Sequence, residues 1–456
     1  MVLDGCTVAT MDPVRTEHAV GHVVIDGSRI VAVGPGRYVD DGSDAVVVDG
    51  SGCLATPGLV NTHHHLYQWA TRGLAVDATL FGWLTELYPV WGGIDEDVVG
   101  AAAAAGLGWL ARTGCTTSMD HHYVFPTHGG DVLGAEIEAA RRIGLRFLAA
   151  RGSMDLGQSQ GGLPPDHMVE DIDTILAAAA VDEHHDSSPD SMLRIGVAPC
   201  SPFSVTADLL RESAAMARDR GVRLHTHLAE TVDEEHYCAE RFGQTPLAYM
   251  ESLGWVGDDV WFAHGIHFDV SIRALAASGT GVAHCPSSNA RLGAGIARTR
   301  ALRDAGVPVG LGVDGAASNE ASSLIEEARH ALLFARARGG PEALGVRDAL
   351  ELATIGGARV LGWDDQVGSL EVGKLADIAL WRLDGLGHAG VVDPVAALVL
   401  GSQPPLERLL VGGRAVVERD RLVTADEGLL AAQAVSAGER LLARHQDTTG
   451  YISATR

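Results

Sequence analysis

The sequence predicts an α/β protein: a (β/α)8 TIM-type barrel with a small β-sandwich domain formed by the N- and C-terminal flanks. Three observations predict it. Short apolar runs ending in polar residues recur eight times, Ala/Leu-rich stretches with helical spacing lie between them, and the flanks instead show short strands around Gly turns. Strand–helix alternation implies parallel strands joined by right-handed crossovers. Eight such units in roughly 300 residues fit a closed barrel, whose chemistry sits at the C-terminal strand ends.

The first four runs are GLVNTHHH (58–65), CTTSMDHH (115–122), LRFLAARGS (145–153) and LRIGVAPCS (193–201). The other four are VRLHTHLAE (222–230), VWFAHGIH (260–267), GVAHCPSSN (281–289) and PVGLGVDG (308–315). Helices are expected at 98–113, 207–221 and 271–279. A doubly wound open sheet is disfavoured, because no Gly-rich dinucleotide fingerprint follows the first strand. In the N-terminal flank, VVIDGSRIVAVG (23–34) reads as two strands around an Asp26-Gly27 turn. Residues 366–424 again read as short strands, and 427–445 as a helix. The expected domains are 1–56 with 366–456, and a catalytic barrel over 57–365.

Composition bounds the function. With 456 residues, the chain has room for two to four ordinary domains, or for one large barrel and a smaller unit. Net charge is -25, from 59 acidic and 34 basic residues. That argues against polymeric nucleic acid, whose phosphates need clustered Lys and Arg, but not against a free nucleobase. No apolar stretch approaches the ~18–20 residues of a membrane span. The N-terminus shows no secretory signal, so the cytoplasm is the expected location. The six cysteines form no CxxC pair and are expected to be unpaired. The chain has a single lysine, Lys374, in the GKLAD stretch outside the predicted barrel.

Four strand ends carry residues suited to chemistry. In Asn61-Thr62-His63-His64-His65, residues i and i+2 of a strand share a face, so His63 and His65 point together and His64 away. Two imidazoles so held make half a site for Zn²⁺ or Fe²⁺. His225-Thr226-His227 repeats the pattern and ends near Glu230. His264 closes the run VWFAH, and Asp314 closes GLGVD. Singly, each has an ordinary alternative: a His-rich loop, hydrogen-bonded core histidines, a polar strand terminus, a turn or N-cap Asp. Together they place metal-type ligands and an extra acid on one rim.

The ordered set PGLVNTHHH, HTHLAE, FAHGI, HCPSSN and GVDG resembles the amidohydrolase superfamily. More narrowly it resembles the deaminase and chlorohydrolase branch that acts on nucleobase-like and triazine rings, over nearly the whole chain. The resemblance implies His63, His65, His227 and Asp314 as metal ligands, Glu230 as the proton-shuttling acid and His264 as the catalytic histidine. His227 is preferred to His225 because the family ligand stands three residues before the Glu. Pro286, Ser288 and Asn289 of HCPSSN are read as mostly structural. Binuclear relatives usually bridge their metals with a carbamylated barrel lysine. Lys374 cannot serve, so one divalent metal per chain is expected, Zn²⁺ before Fe²⁺. A homo-oligomer, dimer or larger, is expected as well.

Those residue types imply hydrolytic deamination. A divalent metal lowers the pKa of water from 15.7 toward ~7. Asp314 takes the proton, Glu230 protonates the ring nitrogen beside an amino-bearing sp² carbon, His264 orients the water or the tetrahedral centre, and ammonia leaves. The substrate is a small heterocycle, with Gln68, His122, Cys200 and Ser201 as its expected contacts. Gln68 offers the donor and acceptor that suit an amide-like ring edge. The Gly-rich run 152–166 is expected to act as a lid. These loops resemble most those of 8-oxoguanine deaminases, and nearly as well those of triazine hydrolases. Guanine deaminases carry Pro-Arg-Phe where this chain has Pro199-Cys200-Ser201, which argues against plain guanine. The alternatives are guanine, isoxanthopterin or pyrimidine deamination, s-triazine hydrolysis and, last, a non-catalytic binding homologue. A nucleic-acid editing deaminase is disfavoured, since the chain lacks the H-x-E…P-C-x-x-C pattern.

Overall fold

The computed structural model describes residues 1–39, 42, 44–179, 185–186, 188–268 and 271–449. The last residues of the expected C-terminal flank, 450–456, lie outside them. All eight predicted runs form strands: β6 (Leu59–Asn61), β7 (Cys115–His122), β8 (Arg146–Ser153), β9 (Leu193–Pro199), β10 (Arg223–Leu228), β11 (Val260–His264), β12 (Gly281–His284) and β13 (Val309–Leu311). They pair in parallel and close into a barrel, with Leu311 opposite Asn61 at the seam.

The first strand is shorter than the sequence implies. Its ladder stops at Asn61, yet the next residues stay tied to both neighbours: Asp314 N–H donates to His63 O (3.1 Å) and His121 N–H to His64 O (2.8 Å). His63 and His65 therefore keep a common direction without a regular ladder. Gly312 makes the close approach of β13 to this segment feasible, since a Cβ there would stand 2.6 Å from His63 Cβ.

Helices follow the strands as predicted. Helix α2 (Glu96–Arg112) begins at Asp95, whose side chain accepts from Val98 N–H. The helix Ala207–Arg220 starts at the Thr206 cap and ends at left-handed Gly221. Two further helices matter below: α1 (Leu80–Trp91) and α3 (Val132–Ile143).

The flanks pair with each other. β1 (Val2–Ala9), β2 (Glu17–Asp26), β3 (Arg29–Pro35), β4 (Val47–Asp49) and β5 (Cys53–Pro57) join β14 (Ile378–Arg382), β15 (Leu406–Val411), β16 (Arg414–Glu418) and β17 (Arg421–Leu422) in one nine-stranded sheet. The connection between the two flanks is antiparallel β5–β14, with Ala379 opposite Thr56. The Asp26-Gly27 turn joins β2 to β3, as the sequence predicts. Leu3, Ile30, Ile378 and Leu410 share one core, so both arms of the sheet cover the same apolar cluster. A buried Arg146–Asp377 pair (3.1 Å) joins barrel strand β8 to the entry of β14.

The C-terminal helix, Glu427–Thr449, extends the prediction and packs on the barrel rather than on the flank sheet. Leu430, Ala437 and Leu441 enter the barrel-side core, and Arg444 donates to Gly93 O (2.9 Å). All six cysteines are unpaired and buried. No described helix is long and apolar enough to cross a membrane.

Candidate active site

The strand ends bring His63, His65, His227, Glu230, His264 and Asp314 to one mouth of the barrel, all but sealed from solvent. The hydrogen bonds behind the imidazoles fix their tautomers. A carbonyl oxygen can only accept, so the ring nitrogen facing one carries the hydrogen. His65 Nδ1–H donates to His121 O (2.7 Å) and His227 Nδ1–H to Cys200 O (2.6 Å). His225 Nδ1–H donates to Trp261 O (2.9 Å), which leaves its Nε2 to accept from His63 Nδ1–H (2.8 Å).

The Nε2 atoms of His63, His65 and His227 are consequently bare lone pairs, and all three turn inward. His65 Nε2 and His227 Nε2 face each other at 3.0 Å. Asp314 Oδ1 lies 3.4 Å from His63 Nε2 and 3.5 Å from His65 Nε2. Three lone pairs and a carboxylate pointing at one another repel unless a cation or proton sits among them. Burial holds His65 and His227 well below the ordinary imidazole range, which disfavours protonation. The donor set therefore fits a divalent metal. His121 Nδ1 also faces this cluster without a partner.

Asp314 is tied in place: Oδ2 accepts from Ser288 Oγ (2.6 Å) and Oδ1 from Gly315 N–H (2.7 Å). Burial works to raise its pKa, but His63 at its side brings the net value well below the carboxylate range. His264 Nδ1–H donates to Asn289 Oδ1 (2.9 Å), so its bare Nε2 faces Glu230 Oε2 at 3.5 Å. Ser288 and Asn289, read from the sequence as mostly structural, thus touch Asp314 and His264 directly. Burial, then the Asp314 charge, pushes the Glu230 carboxyl well up, in the direction of an acid that holds a proton near neutrality.

The backbone here is strained. Ala229 (φ 54°), His264 (φ 71°) and Asp314 (φ 63°) are left-handed without being glycine, which costs of order 1–3 kcal/mol each. Glu234 offsets this at Ala229: its two carboxylate oxygens accept from Ala229 N–H (3.0 Å) and Glu230 N–H (2.9 Å).

A cavity of about 30 Å³ opens on this cluster, lined by His65, Gln68, Cys200, His227, Glu230, His264 and Asp314. Gln68 is fully buried and neither amide atom has a partner. A Cβ on Gly315 would overlap Gln68 Oε1, so glycine at that position makes room for the amide. The wider surface groove between α2 and the C-terminal helix carries a paired Arg112–Glu427 and no converging ligand set.

Two expected substrate contacts do not reach the pocket. His122 points outward from β7 and bonds Glu136 Oε1 (2.7 Å) and Val124 O (2.8 Å), because strand alternation aims its neighbour His121 inward. Ser201 turns to Ser204 Oγ (2.7 Å) in the loop after β9. The 152–166 run is not the cover either. Asp155 takes Thr206 N–H (2.7 Å) and Leu163 N–H donates to Phe203 O (3.0 Å), so this run braces the Phe203 loop. The cover is α1, through Leu80, Trp83, Leu84 and Tyr88, with Tyr123, Phe203 and Leu292 completing the wall. In the sequence this helix reads as ordinary core, because spacing alone does not say which apolar face meets a cavity.

Comparison with known proteins agrees with this architecture. Residues 54–416 match the amidohydrolase family. The chain is 44% identical over 431 residues to an 8-oxoguanine deaminase of Pseudomonas aeruginosa, covering 93% of this chain and 96% of that one. It is 39% identical over 425 residues to an isoxanthopterin deaminase of an unknown prokaryotic organism, covering 86% and 88%. Among solved structures, a zinc-complexed atrazine chlorohydrolase from Arthrobacter aurescens superposes with a TM-score of 0.91 at 36% identity, over 96% of this chain and 99% of that chain. This chain belongs to the amidohydrolase family.

Proposed function

We propose that the protein is a mononuclear, metal-dependent deaminase that converts 8-oxoguanine and water to urate and ammonia. The observation that carries the reading is the convergence of three bare Nε2 atoms and Asp314 opposite Glu230 across one pocket. The similarity to an 8-oxoguanine deaminase supports the choice of ring.

His63, His65, His227 and Asp314 would hold the metal, Zn²⁺ by analogy with the zinc-complexed relative, Fe²⁺ being acceptable to the same donors. A divalent ion there supplies Lewis acidity that brings water into the neutral titration range. Around it the side chains handle protons. Asp314, kept ionised, accepts the proton lost by the attacking water. Glu230, kept protonated by burial, donates to the ring nitrogen beside the amino-bearing carbon, so negative charge does not build on the ring. His264, fixed by Asn289, directs its bare Nε2 at Glu230 and the reacting centre. Loss of ammonia requires a proton on the leaving nitrogen, and Glu230 or Asp314 returns it. The α1 cover excludes bulk water. Buried free cysteines fit a reducing compartment such as the cytoplasm.

The test is ammonia release by purified, metal-replete protein from 8-oxoguanine, guanine, isoxanthopterin, cytosine and an aminated triazine. Preferential turnover of 8-oxoguanine is expected. No ammonia from 8-oxoguanine, with one metal bound per chain, overturns the substrate assignment and leaves the pterin or triazine ring.

A further inference from the structure

Four side chains of α1 line the pocket at positions 80, 83, 84 and 88, one face of the helix, and only the last of them brings a hydroxyl. Tyr88 is fully buried, and its hydroxyl has no hydrogen-bond partner. Its ring is held in place, packed edge-on to Trp91 (5.9 Å, 83°), which is itself pinned by Trp91 Nε1–H donating to Thr71 Oγ1 (3.0 Å). The surrounding wall, Leu80, Trp83, Leu84, Phe203 and Leu292, is apolar or aromatic. A buried hydroxyl left unpaired costs about 1–3 kcal/mol. A site that keeps one aimed into a cavity discriminates strongly in favour of an occupant that completes the bond.

Position says which part of the occupant that is. The reacting carbon must lie between Glu230 and the ligand histidines. Gln68 stands against Gly315, next to Asp314, at that same end. Among the described residues no ring contact joins Tyr88 to a ligand histidine: the contacts run from His65 to Tyr67 (6.3 Å), from Tyr67 to Trp91 (5.4 Å) and from Trp91 to Tyr88 (5.9 Å). In a fused purine, the amino-bearing C2 and the oxidised C8 lie at opposite ends of the two rings. An oxygen on C8 reaches toward the cap when C2 is at the histidines.

Resting on the deaminase reading above, we propose that Tyr88 is the residue that selects an oxidised purine, its hydroxyl donating to the oxygen at the ring end away from the reacting carbon. Guanine, with C–H there, leaves the hydroxyl unpaired. Gln68 serves the near edge and does not distinguish the two rings.

The experiment compares kcat/KM for 8-oxoguanine and guanine in the wild-type enzyme and in Tyr88→Phe, with metal content and thermal unfolding measured alongside. The expected result is a fall of about 10–100-fold in the 8-oxoguanine-to-guanine ratio, with metal content near wild type. An unchanged ratio in a folded, metal-loaded variant overturns the assignment of Tyr88 while leaving the deaminase reading intact. No turnover of 8-oxoguanine by the wild type removes the substrate reading, and the inference with it. If Tyr88→Phe does not fold, inhibition of the wild type decides: urate must bind more tightly than xanthine, which lacks the C8 oxygen, and equal inhibition overturns the proposal.

Discussion

Strand β7 separates two buried clusters of metal-type side chains, and they satisfy their charges in opposite ways. Inside the barrel lie His63, His65, His121 and His227 with Asp314. Outside it, against α3, lie Asp120, His122 and Glu136, equally buried. In the outer cluster His122 Nε2–H donates to Val124 O, so Nδ1 is bare and faces Glu136 Oε1 at 2.7 Å. Glu136 is pushed up to about 8 by burial, and burial, then the neighbouring Glu136 charge, raises Asp120. A protonated Glu136 donates its O–H to the bare His122 Nδ1, while Asp120 Oδ1 accepts from Leu66 N–H (2.6 Å). Carboxylic protons complete that network. The inner cluster has one carboxylate among four bare imidazole nitrogens and no proton to share. Proximity of His, Asp and Glu is thus a poor sign of a metal by itself, and the tautomers decide.

The largest expected effect tests that contrast directly. His227→Ala is expected to lose the metal and at least ~10³-fold in kcat/KM, whereas Glu136→Gln, whose amide can replace the neutral acid, keeps the wild-type metal content. Metal analysis of both variants that found Glu136→Gln one equivalent short would break the comparison. Next comes Glu230→Gln, expected to lose about 10²–10⁴-fold in kcat with metal retained; a variant with near-wild-type turnover would remove Glu230 from the chemistry.

A smaller effect belongs to His225, which carries no proposed ligand atom but sets the tautomer of His63. His225→Ala should weaken metal affinity about 10–100-fold, read by competition with a chelator; unchanged affinity would mean that His63 holds its tautomer unaided. The smallest is a pH effect. Glu136 binds its proton more tightly folded than unfolded, so its contribution is fully present below its ordinary value of 4.5 and is lost as pH rises through about 8. Chemical denaturation at pH 5 and pH 8 should therefore show Glu136→Gln gaining on the wild type at the higher pH. A constant difference would mean that the outer cluster is already ionised.

Much of this was legible in the chain. The eight strands announce themselves through apolar runs, and the ligand types stand at their ends in an order that no shuffling of the fold would disguise. What was not legible has identifiable causes. The strand-end position of His122 suggests the pocket, but alternation permits either parity, and the neighbours of β7 send His121 inward. Ser201 follows β9 in a loop whose turn toward Ser204 leaves no periodic trace. A Gly-rich loop suggests a lid, whereas α1 supplies the cover with a face that resembles any core helix.

The amino-acid sequence by itself determined the barrel, the side chains at its mouth and the absence of a barrel lysine, because each depends on local periodicity and residue type. Tertiary structure alone decided which imidazole nitrogens are bare, that Ser288 and Asn289 hold Asp314 and His264, and that Tyr88 ends unpaired above the site. Those outcomes depend on partners far away in the chain, such as Cys200 O for His227 and Trp261 O for His225, and only closure of the barrel brings them within hydrogen-bonding reach.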